Sequence, residues 1–404
     1  MTVDSIKKKE LSYIKTDFNI YSNGQNNSIT NFTLFKIKNS LYGFNYIKYG
    51  EKVNPYTFYE NPGKKISEKN TSEPRTKFSG FGYQNDWLTF QLAKGHEEWG
   101  AGDGIELALS DNSQEYDYFK LGSNYGNLRV LYIHGFLETT QKNINRYITS
   151  RGIEWTNKKT LIIGFSETVI YSGLNRSIDI GYFNPLSSHL EIELNNRLNN
   201  NGVGNANGVW QIHSDLLLKN RLRISANYLY DEFVLDPDIE IGKEHGNAYS
   251  FRILYTLHNK KKSLLTFYGQ KILIGTPSFR HSNGSNNFIQ KSQPIGYSKG
   301  SDIQEISIGS NYTNKTNFFL LLNSGITLSG DENIIERPYD PFKDYLKEDF
   351  PSGKLKKKIF LNTNFELWIK NNISISFMIN LNYKNKNKIL LRLNIKKPWL
   401  LVFN

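Results

Sequence analysis

Two-residue alternation of apolar and polar side chains dominates this chain, and it is cleanest toward the C-terminus. From Asn372 to Lys384 one face reads Ile373, Ile375, Phe377, Ile379, Leu381 and Tyr383, and the other is mostly Asn and Ser. Lys388 to Lys396 alternates again, with Ile389, Leu391, Leu393 and Ile395 on one side. Arg221 to Asp231 sets Leu222, Ile224, Ala226, Tyr228 and Tyr230 against Arg221, Arg223, Ser225, Asn227, Leu229 and Asp231. Ala248 to His258 does the same with Tyr249, Phe251, Ile253, Tyr255 and Leu257. Successive strand residues point to opposite faces, so each segment predicts a strand with one apolar and one wet side. The runs are about 9–13 residues long, against about 5–6 for an average globular strand and about 9–11 for a tilted membrane-spanning one. Length therefore favours a transmembrane barrel. Tyr228, Tyr230, Trp368 and Tyr383 lie near segment ends, where interfacial aromatic girdles belong. No stretch of comparable length carries a helical period, and no helix longer than two turns is predicted.

The joints between these strands alternate short and long. Ile369–Asn372, Thr313–Asn317, His258–Lys262 and Leu218–Arg221 are short; Gly330–Lys356, Gly275–Gly300, Asp231–Gly246 and Asn196–Gly208 are long. A bacterial barrel ends its last strand in the periplasm, with short periplasmic turns and long external loops. That parity puts the long joints outside, with the hairpin at Lys384–Lys388 as a short external exception. A direct count reaches 19 strands, whereas single-chain bacterial barrels have an even number. The surplus falls between Tyr49 and Gly126, where segments are irregular and a periplasmic or luminal insertion fits. The expectation is an all-β, antiparallel up-and-down transmembrane barrel of 16–18 strands. It is one domain over residues 1–404, with Asn61–Lys77 as a flexible loop and no internal repeat.

Composition refines this picture. The 404 residues include 25 Tyr and 25 Phe, so the chain is not a disordered one. Yet the mean hydropathy is −0.53. A polar lumen and polar loops around a narrow apolar belt reconcile the two. No window approaches a membrane-spanning helix, and Met1–Glu10 lacks the apolar core of a signal peptide. An outer-membrane protein must cross the inner membrane, so the natural precursor is expected to carry residues before Met1. Zero cysteine excludes disulfide scaffolds, thiolate metal sites and cysteine nucleophiles. The net charge of +12 lies partly in turns such as Lys260–Lys262 and suits lipid phosphates or an acidic polysaccharide. Nucleic-acid binding would need a recognisable module, and none is present.

The densest chemistry lies in His96–Gly104, where Glu97, Glu98, Trp99 and Asp103 are set among Gly100, Gly102 and Gly104. It reads either as a glycine-rich turn with solvated acids, the commoner case, or as a luminal or loop site with a stacking indole. Its glycines lack dinucleotide-fingerprint spacing. Leu107–Lys120, with Asp111, Tyr116 and Tyr118, has the aromatic and carboxylate mixture of carbohydrate sites, as do many strand ends. In Tyr171–Asn205, Glu191 and Glu193 share a face. They read better as inward-pointing residues filling a barrel than as an acid/base pair. The seven histidines have no metal-ligand spacing and no serine-hydrolase elbow occurs, so no metal, cofactor or catalytic residue is expected.

An ordered series of short motifs resembles the Wzi capsule-assembly family of outer-membrane proteins. It runs through Glu98-Trp99-Gly100-Ala101-Gly102, Leu107-Ala108-Leu109-Ser110-Asp111, Phe119-Lys120-Leu121 and Ile163-Gly164-Phe165-Ser166-Glu167. Tyr182-Phe183-Asn184-Pro185, Pro294 to Asp302, and Phe350-Pro351-Ser352-Gly353 follow. The match spans about Phe78 to Trp399. Phe403 stands one residue short of the C-terminal position that a barrel-insertion signal prefers. The resemblance implies an 18-stranded Gram-negative outer-membrane barrel with an obstructed lumen. Its role would be lectin-like and non-catalytic, holding capsular or extracellular polysaccharide at the cell surface among outer-membrane lipids and lipopolysaccharide. The candidate contact or rim residues are Trp99, Asp103, Asp111, Tyr116, Arg176, Asn184, Trp210 and Asp302. A porin or specific channel on the same fold is the alternative, since fold does not fix function.

Overall fold

The computed structural model describes residues 12–22, 27–38, 40–50, 75–140, 142–194, 206–231, 244–260, 263–314, 317–342, 349–370, 372–382 and 388–403. The first nine strands are β1 (Ser12–Ser22), β2 (Asn27–Ile37), β3 (Leu41–Gly50), β4 (Arg75–Gln84), β5 (Leu88–Gly95), β6 (Tyr116–Tyr125), β7 (Leu128–Thr139), β8 (Ile144–Thr156) and β9 (Leu161–Leu174). A 3₁₀ turn, Ile180–Phe183, and a six-residue helix α1 (His189–Leu194) follow. Next come β10 (Ala206–Leu218), β11 (Leu222–Tyr230), β12 (Asn247–Lys260) and β13 (Ser263–Ile274). A two-residue-strand hairpin, β14 (Ile289–Gln290) and β15 (Gln293–Pro294), precedes β16 (Ile303–Asn314) and β17 (Phe318–Ser329). The chain ends with β18 (Lys356–Lys370), β19 (Ile373–Asn382) and β20 (Lys388–Phe403).

Apart from the β14–β15 hairpin, these strands form one 18-stranded antiparallel sheet, each paired with its sequence neighbours. β13 pairs β16 directly, and β1 pairs β20 from Ser12↔Phe403 to Ser22↔Leu393, so the ring returns on itself. Closure leaves no free edge, which is what a sheet in hydrocarbon requires. The count resolves to 18 because the irregular stretch expected between Tyr49 and Gly126 contains a luminal insertion, residues 96–115, between β5 and β6.

The strand periods expected for Arg221–Asp231 and Ala248–His258 hold, and the apolar faces point away from the lumen. Ile212, Tyr228, Ile253 and Ile308 are exposed, whereas Gln211, Asn227 and Ser250 on the alternate face are buried. One end of the barrel carries only short turns, such as 126–127, 219–221 and 261–262. Lys219 and Asn220 both take positive φ there, the handedness that matches strand twist in a two-residue turn. The other end carries the long connections 51–74, 96–115, 175–205, 231–246, 275–302 and 330–355. Its short ones are 23–26, 140–143 and 383–387, so two exceptions join the hairpin expected at Lys384–Lys388. Most of the expected flexible loop Asn61–Lys77 lies outside the described residues, but Arg75, Thr76 and Lys77 belong to β4.

Three long connections turn inward. Residues 96–115 descend deepest, 275–302 pack above them and 330–342 lie above those. Ile105, Leu107, Leu109, Phe279, Phe288, Ile295 and Ile334 from these loops meet Ile133, Ile148, Val209, Leu229 and Ile272 from the wall in one buried cluster. The hydrophobic core thus sits inside the barrel. Gly296 is required at the seam between two loops, since a Cβ there would stand 1.7 Å from the Leu107 carbonyl oxygen. Arg146, fully buried in β8, donates to the carbonyls of Asn287 (2.6 Å) and Ile289 (2.9 Å) and pairs with Glu138 at 2.7 Å.

The fourth long connection behaves differently. Its segment 175–194 lies against the outside of the wall over β7–β10. Glu191 and Glu193, expected to fill the barrel, stand on α1 in this segment instead. Their two-residue spacing implied a strand face, but α1 is helical and its buried Ile192 packs onto the outer wall beside Tyr171 and Ala206.

Candidate functional site

Residues 99–109 form a loop that side chains of the lumen wall hold by its backbone. Asn227 accepts from the Ala101 N–H and donates to the Ala101 carbonyl, both at 2.7 Å. Gln211 accepts from the Ala108 N–H and donates to the Trp99 carbonyl, both at 3.1 Å. Ser250 donates to the Ile105 carbonyl and Arg252 to the Asp103 carbonyl, again at 2.7 Å. A buried backbone without such partners would be strongly unfavourable, so these polar lumen residues specify where the loop sits. Within the loop, the Trp99 N–H donates to the Leu109 carbonyl at 3.1 Å.

Beneath this loop, toward the short-turn end, is a cavity of about 640 Å³. Trp99 forms part of its roof and is 4% exposed. The indole is bracketed by the Arg129 guanidinium, 4.5 Å from the ring centroid, and by His213 edge-on at 6.0 Å. Gly152 faces the indole, and any Cβ there would collide with it. Most charges on the wall are paired: Lys120–Glu97 at 2.7 Å, Arg129–Glu154 at 2.7 Å, and Arg223–Asp215 at 2.8 Å. Three further carboxylates, Glu98, Asp103 and Glu106, line the cavity without an ion-pair partner among the described residues. Three buried polar atoms at the site also lack a hydrogen-bond partner: Trp99 Nε1, Glu106 Oε2 and His213 Nδ1.

Burial, reinforced by Glu98, Asp111 and Asp103, pushes the Glu106 carboxyl up to about 7. Burial and the nearby Asp111 and Asp103 charges likewise raise Glu98, while burial lowers His96. A folded-state pKa above the unfolded value of 4.5 means the folded protein holds the Glu106 proton more tightly. Its contribution is complete below 4.5 and is lost as pH rises through about 7. The loop should therefore be looser at pH 8 than at pH 5.5, and Trp99 fluorescence should titrate near pH 7. Glu106→Gln should remove that titration; an unchanged titration in the variant would assign it to another group.

Trp99 and Asp103 are thus brought together at this cavity, and Asp111, exposed and outside its lining, lies close enough for its charge to act on Glu98 and Glu106. Tyr116 is buried in the wall against Tyr118, with ring centroids 5.6 Å apart. Asp302 is fully buried at the base of two loops, accepting from Thr276 Oγ1 (2.9 Å), Ser352 N (2.8 Å) and Ser352 Oγ (2.6 Å). Arg176, Asn184 and Trp210 lie on the outside of the barrel. Arg176 donates to the Ser172 carbonyl and to Asp179, Asn184 accepts from the Leu186 N–H, and Trp210 donates to Glu167. Arg129, His213 and Glu106 were missed. For His213 the only signal was Gly164, whose missing side chain makes room for the imidazole across the strand pair.

Neither protein-family models nor curated protein sequences match this chain. Solved structures do. Wzi, an outer-membrane protein involved in group 1 capsule assembly in Escherichia coli and described as a carbohydrate-binding β-barrel, superposes with a TM-score of 0.66 at 10% identity. The alignment covers 98% of this chain and 86% of Wzi. The fold is that of an outer-membrane β-barrel. OccK3 (OpdO) of Pseudomonas aeruginosa follows with a TM-score of 0.50 at 8% identity, covering 97% of this chain and 96% of that one. At such identities the likeness concerns the fold.

Proposed function

We propose that this protein resides in the outer membrane of a Gram-negative bacterium and attaches or assembles capsular or extracellular polysaccharide at the cell surface, without catalysis. The observation that carries this reading is the apolar core that three inward loops build inside the barrel. A solute channel has no use for Ile105, Leu107 and Phe288 packed across its path. The similarity in fold to the carbohydrate-binding barrel Wzi supports the same reading. The cavity below the loops, with its unpaired carboxylates and unpartnered indole N–H, faces the short-turn end and is not the surface attachment site. A second reading, a specific channel, draws on the paired charges lining that cavity.

The test is deletion of the gene, followed by assay of polysaccharide in cell-bound and medium fractions. Sugar should move from cells to medium with the total unchanged. An unchanged partition would remove the polysaccharide reading and leave transport.

A further inference from the structure

The outer wall over β7–β10 changes character partway along the strands. Cross-strand pairing aligns Val130, Ile153, Phe165 and Ile212 in one outward-facing row, all of them exposed. The next outward row is Tyr132, Arg151, Glu167 and Trp210. Arg151 and Glu167 pair at 2.9 Å in that row. The row above contains His134 and Gly208, and the one above that Phe136, Tyr147, Tyr171 and Ala206.

Height makes this a problem for a bare wall. A strand rises about 3.3 Å per residue and tilts about 35–45°, so it gains about 2.5 Å of height per residue. Glu167 is six positions beyond Leu161, the first residue of β9, hence about 15 Å above the short-turn end of a strand that crosses a belt about 25 Å tall. An uncovered guanidinium–carboxylate pair there would face hydrocarbon.

Segment 175–194 covers it. His189 donates to the Glu167 carboxylate through Nδ1 at 2.8 Å, and its ring fills the space that Gly208 leaves open. Tyr182 stacks on Tyr171 with centroids 4.4 Å apart, and Tyr171 on Tyr147 at 5.0 Å. Phe183 lies 4.3 Å from His134, and the Tyr132 hydroxyl donates to the Tyr182 carbonyl. The inner side of the segment is therefore specified by the wall. Its outer side exposes large apolar side chains, Ile180 at 84% and Leu186 at 91% with Leu174 and Ile178 beside them, interspersed with the polar Asn175, Ser177 and Asn184 and, on α1, Glu191.

We propose that this segment is a lipid-facing apron, whose Ile178, Ile180 and Leu186 contact the acyl chains of the outer leaflet in place of the strands beneath. The exposed row Val130–Ile153–Phe165–Ile212 lies directly below it on the same outer face, and Ile178, Ile180 and Leu186 carry the apolar surface on over the Arg151–Glu167 pair. The proposal rests on the membrane reading of the fold and not on the polysaccharide reading.

The chain has no cysteine, so single labels are clean. Ile180→Cys and Leu186→Cys, each spin-labelled and reconstituted in phospholipid bilayers, report accessibility to oxygen and to a water-soluble nickel chelate. Ile308→Cys on the outward face of β16 is the lipid reference, and Ser282→Cys on a long loop is the aqueous one. Labels at 180 and 186 should match 308: accessible to oxygen and at least tenfold less accessible to nickel than at 282. Nickel accessibility equal to that at 282 would overturn the apron. Exclusion of both reagents with dipolar broadening between chains would overturn it in favour of a second copy. Nickel access at 308 itself would sink the membrane reading, and the apron with it.

Discussion

On the attachment reading, replacing residues 98–111 with a short Gly-Ser linker should give a barrel that passes ions in discrete steps across a planar bilayer where the wild type passes none. The loop supplies Ile105, Leu107 and Leu109 to the luminal core, and the Leu107 carbonyl accepts from the Tyr297 N–H at 3.0 Å. Ser110 donates to the Gly296 carbonyl at 2.6 Å. Removing these contacts also removes the floor under 275–302, so that loop should loosen with it. The wall should survive, because its stability comes from a closed ring of backbone ladders that the loop does not enter. Equal, absent conductance in both proteins would mean that the remaining loops block the lumen alone. Steps in the wild type would favour the channel reading instead.

Asp302→Ala should have the next largest effect, and it should be confined to the long-loop end. The carboxylate is fully buried and also accepts from the Glu332 N–H at 3.2 Å, so one side chain ties 276, 332 and 352 together. Its loss leaves buried donors without an acceptor, each worth about 1–3 kcal/mol, and a local loss of about 3 kcal/mol or more is expected. Asp302→Asn should fall between, since its amide nitrogen faces donors where an oxygen accepted. Amide exchange should accelerate by about a hundredfold at 330–342 and 275–302 while strand amides stay protected, about 2.7 kcal/mol being that factor. Unchanged exchange in these loops would show that the carboxylate is not the tie. Asp302 was a candidate glycan contact or rim residue on its sequence alone; fully enclosed, it faces loop backbone and hydroxyls in place of a glycan.

Much of the wall was legible before any coordinates. The faces of β11, β12, β19 and β20 follow from alternation because a strand in lipid has one apolar solvent and one polar lumen, and the period of two records both. Parity of the joints followed too, because loops at one end are free to lengthen while turns at the other stay tight. The eight candidate residues fared unevenly. Trp99 and Asp103 are four residues apart and share a cavity, so sequence proximity sufficed. Arg176, Asn184 and Trp210 lie outside the barrel because segment 175–194 folds back over the wall. A connecting segment carries no period that states which side of the sheet it takes.

Alternation by itself therefore determined an antiparallel barrel with long joints at one end, since each strand responds only to its two faces. Tertiary structure alone decided that residues 96–115 descend into the lumen, that three loops stack there on an apolar core, and that a fourth lies outside. The contacts responsible join residues more than a hundred positions apart, such as Ala101 to Asn227 and Ser110 to Gly296. A local pattern of hydropathy records the solvent a side chain faces, and inside a plugged barrel the facing surface is another part of the same chain.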